Sequence, residues 1–367
     1  MSTTATKPTN PFPADGVLVD TLARLLDDTA GHEVVQQAEA EGWAPGVWGP
    51  LAEMGAPWVG VAEEHGGSGG SVADAVAVLR AVGRYAAPVP VAETGILGGW
   101  LLGSAGGELP GGPLTVVPGR REDTLALAGG TLSGVAHNVP WASRADRIVA
   151  LVDGQVVAVE PAAAGVSITA RRNVAGEPRE IVHFDGVNPA FAAAAPAGVD
   201  AVGLRRRGAF ARAALMTGAL ERATEMTVDY ANERYQFSKP VATFQAVAHH
   251  LVRCAEESQL AVMALNTAVA AASKRGIEHC PWEVAAFKAV AGEAADVVTT
   301  RAHQTHGAIG MTQEYSLHHL SRRLWAWRAE FGSTASWRRE LGGLLGRHGG
   351  GQAWFAVVHG SEALTGA

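Results

Sequence analysis

Hydrophobic residues in the first hundred positions recur every three to four residues, which is the spacing of one face of a helix. VLVDTLARLLDDTA has this period, and SVADAVAVLRAVGRYAA repeats it after Ser71, a typical N-cap residue. Between them, GVWGPLAEMGAPWVGV predicts a short helix broken by Gly55 and Pro57, and EEHGGSGG predicts a loop because glycine destabilises helices. We therefore predict a helical region from residue 16 to about residue 105.

The pattern changes near Gly106 to short β-branched runs separated by turns. These runs are PLTVVPG, TLALAGGTLSGVA, DRIVALVDGQVVAVEP, VSITA and EIVHFDGV. Within them, VDGQV places Asp-Gly between two valine-rich segments, which is a strong hairpin signal. The sequence predicts a small β-domain over residues 106–200.

Helical periodicity returns in longer segments after about residue 201. One stripe in the longest segment consists of Phe244, Val247, Ala248, Leu251, Cys254 and Ala255. A later segment, PWEVAAFKAVAGEAADVVTTRAHQTHG, has Pro281 where a first helical turn tolerates it and Gly307 where a helix would stop. The domain plan is a loose N-terminal tail, a helical domain, a β-domain, a helical bundle and a glycine-rich tail, over residues 1–15, 16–105, 106–200, 201–345 and 346–367.

Composition is that of a folded protein, since 47% of the 367 residues are hydrophobic and 18% are charged. The net charge of −7 argues against nucleic acid as a partner. Only two cysteines are present and they lack zinc-site spacing, which favours a reducing compartment. The polar, proline-containing start and the lack of an 18-residue apolar run favour a cytoplasmic protein without a membrane span.

Two stretches contain candidate ligand-binding chemistry. ERYQFSKPVATFQ offers Arg234, Gln236, Phe237 and then Gln245 at the start of a helix. A guanidinium can pair with phosphate in bidentate fashion, and a helix N-terminus attracts anions. From these residues alone, an ordinary connection between two helices is the alternative. The second stretch, residues 304–333, begins with a glycine-containing turn where backbone can approach a ligand closely.

Three histidine pairs suggest metal binding, but adjacent histidines on a helix point to different faces and matching carboxylates are not spaced for a metal pair. The pairs are His249/His250, His303/His306 and His318/His319. We therefore predict no metal site. The chain also lacks the signatures of a P-loop and of a serine hydrolase elbow. In LWAW, Trp325 and Trp327 could line an interface or a core, and core burial is the simpler expectation.

The two stretches together, in this order, resemble the acyl-CoA dehydrogenase family. RYQFSKPVATFQ is similar to that family's Arg-x-x-Phe-Gly…Phe-Gln segment, and QTHGAIGMTQEYSLHHLSRR to its Gln-x-x-Gly-Gly-x-Gly…Glu-Tyr…Arg-Arg segment. The N-terminal LAEMGAPWVGVAEEHGGSGG and the central GGTLSGVAHNVPWASRADRIVAL are similar to further family segments. The resemblance covers about residues 16–345 and implies an α+β fold with an N-terminal helical domain, a middle β-domain and a C-terminal four-helix bundle.

The resemblance implies FAD as cofactor and α,β-dehydrogenation of an acyl-CoA thioester. In that reaction a carboxylate removes the α-proton and the flavin accepts the β-hydrogen as hydride. The family's FAD lies across a subunit interface. The positions that would reach a neighbour's FAD are Arg234, Gln236, Phe237, Gln245, Gln304 and Gly307.

Three departures from the family pattern concern the catalytic centre. The usual position of the carboxylate base is occupied by Phe331, with Glu330 one residue earlier, and a helical backbone would turn the two side chains about 100° apart. The base position that other members use is occupied by Gly208. The β-domain lacks the family's Thr-Glu-Pro…Gly-Ser-Asp loop that contacts the flavin ring, and reads PLTVVPGRREDTLALAGG instead.

These departures make the chain similar to the non-catalytic subunit of bacterial heterotetrameric acyl-CoA dehydrogenases. We expect no catalytic residue in this chain, a second subunit that supplies the base, and acyl-CoA held mainly by that partner. Heteromeric members often act on bulky thioesters such as those of steroid side chains. The alternatives are a homomeric enzyme that uses Glu330 as a displaced base, and a scaffold of the same fold that binds neither FAD nor substrate.

Overall fold

A computed structural model describes residues 14–348 and 353–360 of the chain. The first part is helical, and its elements follow the hydrophobic period of the sequence. Asp15 caps the first helix, and Ser71 and Asp74 form a reciprocal capping box on the fourth. The helices are α1 (Gly16–Thr29), α2 (His32–Glu41), α3 (Pro45–Glu53), α4 (Val72–Arg84) and α5 (Trp100–Ser104), with a π-helical segment at Glu93–Gly99 before α5.

The middle part contains two four-stranded sheets. The strands are β1 (Leu114–Val116), β2 (Ala126–Ala128), β3 (Thr131–Pro140), β4 (Arg147–Val152), β5 (Gln155–Val159), β6 (Val166–Thr169), β7 (Arg179–Val187) and β8 (Phe191–Ala194). One sheet has the order β1-β4-β5-β8 and the other β2-β3-β7-β6. Only the β1–β4 pair is parallel, and valines of both sheets share one core. The predicted Asp153-Gly154 hairpin joins β4 to β5.

The C-terminal part consists mainly of three long helices that pack against one another, with a fourth against α8. The elements are α6 (Ala201–Glu233), β9 (Tyr235–Gln236), β10 (Lys239–Pro240), α7 (Gln245–Arg275), α8 (Pro281–His306), α9 (Leu317–Trp327), α10 (Thr334–His348) and α11 (Ala353–His359). Pro281 and Gly307 bound α8 as the sequence predicts. The last helices differ from the predicted tail, because α10 continues to His348 and α11 lies beyond it.

The N-terminal domain packs on the bundle through a close approach of α4 and α6. A β-carbon at Gly83 would stand 1.9 Å from the carbonyl oxygen of Leu215, and one at Gly218 would stand 2.0 Å from that of Arg80. No larger residue fits at either position without separating the helices. Beside this contact, Arg80 donates two hydrogen bonds of 2.8 Å to Glu221.

The α+β fold class, with helical, β and helical parts in that order, is therefore confirmed. Predictions about residues 1–13, 349–352 and 361–367 lie outside the described residues. Both cysteines are buried and free. Within the described residues, every helix is too short or too polar to cross a membrane.

Candidate functional site

The four candidate residues between α6 and α7 lie on an exposed hairpin. Arg234 ends α6, Gln236 pairs with Lys239 in the short β9–β10 ladder, and Gln245 begins α7. The tip of the hairpin has Phe237 at φ 51° with 87% of its surface exposed. The Phe237 ring contacts Phe244 edge-on, with ring centres 6.2 Å apart, and remains open to a ligand or another chain.

The other two candidates, Gln304 and Gly307, line a cavity of about 550 Å³ at the C-terminal end of α8. Gly307 has φ 62°, and a β-carbon there would meet no atom within 4 Å, so its backbone is open to the cavity. Trp325 forms part of the wall, donates to Thr299 Oγ1 at 3.1 Å and stacks with His303. The expectation of core burial is right for Trp327, whereas Trp325 is 37% exposed.

Phe331 and Gly208, which the sequence resemblance predicts to occupy the two family base positions, meet in space. A β-carbon at Gly208 would stand 2.1 Å from Cδ1 of Phe331, so the ring lies on the helix backbone at that glycine. Phe331 has φ 53°, and its carbonyl accepts a hydrogen bond of 3.1 Å from Trp337 Nε1. Neither position offers a carboxylate, and an aromatic ring fills the space between them.

Glu330 lies between two guanidinium groups. Its Oε1 accepts from Arg179 Nε at 2.7 Å and its Oε2 from Arg212 Nε at 2.5 Å. Burial alone would raise the pKa of Glu330, but the charges and hydrogen bonds of Arg179 and Arg212 outweigh it and lower the pKa to about 2. A carboxylate with so low a pKa is a weak base at neutral pH.

The reason for that orientation differs from the one expected from the sequence. The helical turn of about 100° per residue requires continuous helix, but α9 ends at Trp327 and residues 328–331 form turns. The two arginines hold the carboxylate of Glu330, and Phe331 has left-handed backbone, with its ring centre 5.7 Å from Arg212 Cζ.

Glu330 belongs to a continuous series of alternating charges, which we call the ion-pair chain. It joins Arg322 in α9 to Glu93 at the start of the π-helical segment and passes through all three parts of the fold. Its four arginines and four glutamates balance in charge. Its members, in order of contact, are Arg322, Glu39, Arg323, Glu177, Arg179, Glu330, Arg212 and Glu93.

Lys288 lies beside the ion-pair chain with 1% of its surface exposed. Its Nζ donates to the carbonyl oxygen of Trp327 at 2.6 Å, at the last residue of α9. Burial lowers the pKa of Lys288 to about 7, which the attraction of Glu330 offsets only in part. The lysine therefore supports the turn that leads into Glu330 and Phe331.

A histidine cluster lies on a second cavity, of about 500 Å³, which shares His303, Met311 and Trp325 with the first. His318 and His319 from α9 meet Glu39 from α2, and His32 faces His319. The sequence argument that adjacent histidines point apart does not apply here, because a carboxylate from another domain lies within reach of both. His249/His250 and His303/His306 form no such cluster with carboxylates in the described part of the chain.

Sequence reasoning missed the ion-pair chain and Lys288. The available signal was a single charge inside an apolar run, since buried charged residues are rare unless paired. Arg212 in GAFARAALMTGAL, Glu93 in PVPVAETGILGGW and Lys288 in VAAFKAVAG each fit that description. The partner of each residue was not visible, because the contacts join segments far apart in sequence.

Comparison with known proteins follows the same three-part organisation. The acyl-CoA dehydrogenase N-terminal domain model matches residues 16–108, and the acyl-CoA dehydrogenase C-terminal domain model matches residues 206–342. The chain is 29% identical to acyl-CoA dehydrogenase IpdE2 of Mycolicibacterium smegmatis over 309 residues, which is 82% of this chain and 89% of that protein.

A second relative, acyl-CoA dehydrogenase FadE28 of Mycobacterium tuberculosis, is 30% identical over 302 residues, covering 74% of this chain and 84% of that protein. Among solved structures, a chain of the ChsE4-ChsE5 complex of Mycobacterium tuberculosis superposes with a TM-score of 0.82 at 24% identity, covering 90% of this chain and 96% of that one. The domain matches and the extent of these relatives establish that the chain belongs to the acyl-CoA dehydrogenase family of oxidoreductases.

Proposed function

We propose that this chain is the non-catalytic subunit of a heteromeric, FAD-dependent acyl-CoA dehydrogenase. In this proposal a second acyl-CoA dehydrogenase-like subunit supplies the carboxylate base and holds most of the acyl-CoA. This chain completes the FAD site of that partner. The reaction of the complex is α,β-dehydrogenation of an acyl-CoA thioester.

The observation that carries the proposal is the contact between Phe331 and Gly208. It fills the space where either family base would stand with an aromatic ring. Glu330, the only nearby acid in sequence, is held by Arg179 and Arg212 and has a pKa near 2. A base must come within hydrogen-bond reach of the substrate's α-proton and be able to accept it. A base supplied by a partner meets that requirement.

The residues predicted to contact FAD have the chemistry that an adenine diphosphate needs. Arg234 offers a guanidinium for phosphate, and Phe237 offers an exposed ring face. Gln304 and the open backbone of Gly307 line a cavity beside Trp325. When bound, FAD supplies the flavin that accepts the β-hydrogen as hydride. We propose that Arg234, Gln236, Phe237, Gln245, Gln304 and Gly307 hold its adenine and diphosphate end at the subunit interface.

The exposed apolar residues near these positions support a protein partner. Val252, Leu260 and Met263 lie along α7, and Ile309 and Met311 lie just after α8, all with large exposed fractions. Exposed apolar residues grouped in this way favour contact with another subunit. The ChsE4-ChsE5 complex is a relative of this fold that assembles from two different subunits.

For the acyl group of the substrate, only a chemical class is proposed. Heteromeric members of the family often use bulky thioesters. We propose a bulky CoA thioester, such as one with a steroid side chain, as the substrate class to test first.

The test is to express the chain alone and together with the acyl-CoA dehydrogenase-like product of a neighbouring gene. Flavin absorbance, subunit mass and acyl-CoA-dependent dye reduction are then measured on both preparations. We expect flavin and activity in the complex, with one FAD for each pair of unlike subunits, and neither in this chain alone. A yellow homo-oligomer of this chain that reduces dye with acyl-CoA would contradict the proposal.

A colourless complex would contradict the assignment of FAD as cofactor, but it would not contradict the proposal that this chain lacks a catalytic base. To separate these outcomes, the partner is also prepared with its carboxylate base changed to glutamine. Loss of turnover with flavin retained would place the base in the partner. Turnover that persists after this change would instead support Glu330 as the catalytic base.

A further inference from the structure

Two imidazole nitrogens face each other between α2 and α9. His32 Nδ1 lies 3.0 Å from His319 Nε2, so one of these atoms holds a proton and the other accepts it. The pair lies at the junction of the N-terminal domain and the C-terminal bundle. Two facing imidazole nitrogens are also the arrangement that a metal ion uses when it replaces that proton.

The other nitrogen of His319 is fixed by a carboxylate. His319 Nδ1 donates to Glu39 Oε1 at 2.7 Å, with His319 only 2% exposed. This carboxylate–histidine contact fixes the tautomer and makes the opposite nitrogen, Nε2, the more basic ligand. In metal sites the same contact orients the ligating imidazole, so the second shell is already in place.

A third imidazole stands next to the pair. The ring centre of His318 is 4.0 Å from that of His319 and 6.1 Å from that of His32. One ligand atom each of Glu39, His318 and His319 lies within 4.8 Å of the others. His318 and Glu39 also line the cavity of about 500 Å³, which gives an ion an entry path and room for a water ligand.

The spacing suits a small tetrahedral ion. Zinc–nitrogen bonds of about 2.0–2.1 Å place two tetrahedral ligand atoms about 3.3 Å apart. The facing nitrogens at 3.0 Å therefore need to separate by only a few tenths of an ångström.

The charges around the cluster set the strength of binding. Glu39 is shared by Arg322 and Arg323, so a divalent ion enters beside two guanidinium groups. Arg322 is partly exposed and donates to His318 Nδ1 at 3.0 Å, where it competes for that ligand atom. These cations make the site weaker than a closed structural zinc site, and removal of Arg322 strengthens it.

We propose that His32, His318 and His319 bind one zinc-class divalent metal ion, with Glu39 orienting His319 from the second shell. The ion joins α2 to α9 and so fastens the N-terminal domain to the bundle at the edge of the cavity. This proposal revises the sequence-based prediction of no metal site. It does not depend on the proposed role of the chain in FAD binding.

The test uses the full chain, co-expressed with its partner where solubility requires it. The purification tag contains no histidines, and a chelator first removes any bound metal. Co²⁺ is titrated while visible absorption is recorded, and Zn²⁺ is then added as competitor. We expect one Co²⁺ per copy of this chain with the intense bands of a four-coordinate ion, and its displacement by Zn²⁺. X-ray absorption of the zinc form should show imidazole ligands.

Variants separate this site from histidines elsewhere. His32→Ala, at the partly exposed ligand, should weaken binding at least ten-fold without unfolding the chain, and Glu39→Gln should weaken it by about 10- to 100-fold. Arg322→Ala should bind more tightly, and His249→Ala on the surface of α7 is the matched control. Absence of Co²⁺ binding at millimolar concentration, or unchanged affinity in both His32→Ala and His318→Ala, would overturn the proposal.

Discussion

The ring of Phe331 lies on the backbone of Gly208, where a β-carbon would come within 2.1 Å of Cδ1. The two residues are far apart in sequence, yet each depends on the other: the ring needs a neighbour without a side chain, and the glycine leaves a space that the ring fills. This contact replaces a carboxylate site with an apolar one and leads to the first prediction.

Gly208→Ala should displace the Phe331 ring and destabilise the full chain by about 1–3 kcal/mol, the usual cost of overpacking. Urea unfolding of the variant measures this. The double variant Gly208→Ala/Phe331→Ala should recover part of the loss, since the added methyl then has space. If the single variant costs less than about 0.5 kcal/mol, as an ordinary surface change does, the ring does not rest on Gly208 in solution.

Glu330→Gln should leave turnover of the co-expressed complex unchanged per folded molecule, although loss of a general base typically costs about 10²–10⁴-fold. The same variant should be less stable by about 3 kcal/mol, because Arg179 and Arg212 lose their shared carboxylate. Steady-state kinetics and thermal unfolding on one preparation separate the effects. A fall in turnover of 100-fold or more with stability intact would support the displaced-base alternative.

Acid should destabilise the chain over a defined range. The folded-state pKa values of Glu39 and Glu330 are lowered from 4.5 to about 2, so their stabilisation is complete above pH 5 and disappears as the pH falls toward 2. Each contributes on the order of 3 kcal/mol. Urea midpoints measured from pH 6 to pH 3 should fall steeply for the wild type and less steeply for Glu330→Gln. An equally steep fall in both proteins would contradict the role given to Glu330.

Lys288 predicts a second rise of stability with pH, in the alkaline range. Its folded-state pKa is lowered from 10.5 to about 7, so between these values the unfolded chain binds the proton and the folded chain does not. Stability from this group therefore rises as the pH increases from 7 to 10. The variant Lys288→Met, which keeps the length of the side chain, should lack that rise when the two unfolding series are subtracted. Parallel series would show that Lys288 stays protonated when folded.

Arg234→Ala should reduce the flavin content of the purified complex without changing its subunit ratio, because the guanidinium is proposed to bind the cofactor's diphosphate. Arg253→Ala is the matched control, since Arg253 pairs with Glu256 and Glu257 on its own helix. Flavin absorbance per complex and fluorescence-detected FAD release give the comparison. Equal flavin retention in both variants would remove Arg234 from the cofactor site.

The sequence predicted elements whose signals are local. Ser71 and Asp74 cap α4, Pro281 begins α8, and Asp153-Gly154 turns the β4–β5 hairpin, each through neighbours within a few residues. That Phe331 stands at the site of the usual base stays a prediction, made by counting along a motif.

The surroundings of Glu330 and the histidine cluster were not visible from the sequence. Glu330 contacts Arg179 across 151 positions, and Glu39 contacts His319 across 280. No period or motif connects such residues, because their pairing depends on how the three domains are placed. The backbone of Phe331 added a further difference, since its left-handed conformation breaks the helical geometry assumed for that segment.

The ion-pair chain also determines how the molecule comes apart. Glu93 and Glu39 come from the N-terminal domain, Glu177 and Arg179 from the β-domain, and Arg212, Arg323 and Glu330 from the bundle. Detaching the N-terminal domain leaves an excess of buried arginines, and detaching the bundle leaves an excess of glutamates, each at a cost of several kcal/mol. Detaching the β-domain removes one ion-pair partner from Arg323 and one from Glu330. The three domains should therefore melt together in one calorimetric transition, and none of them should survive as an excised fragment.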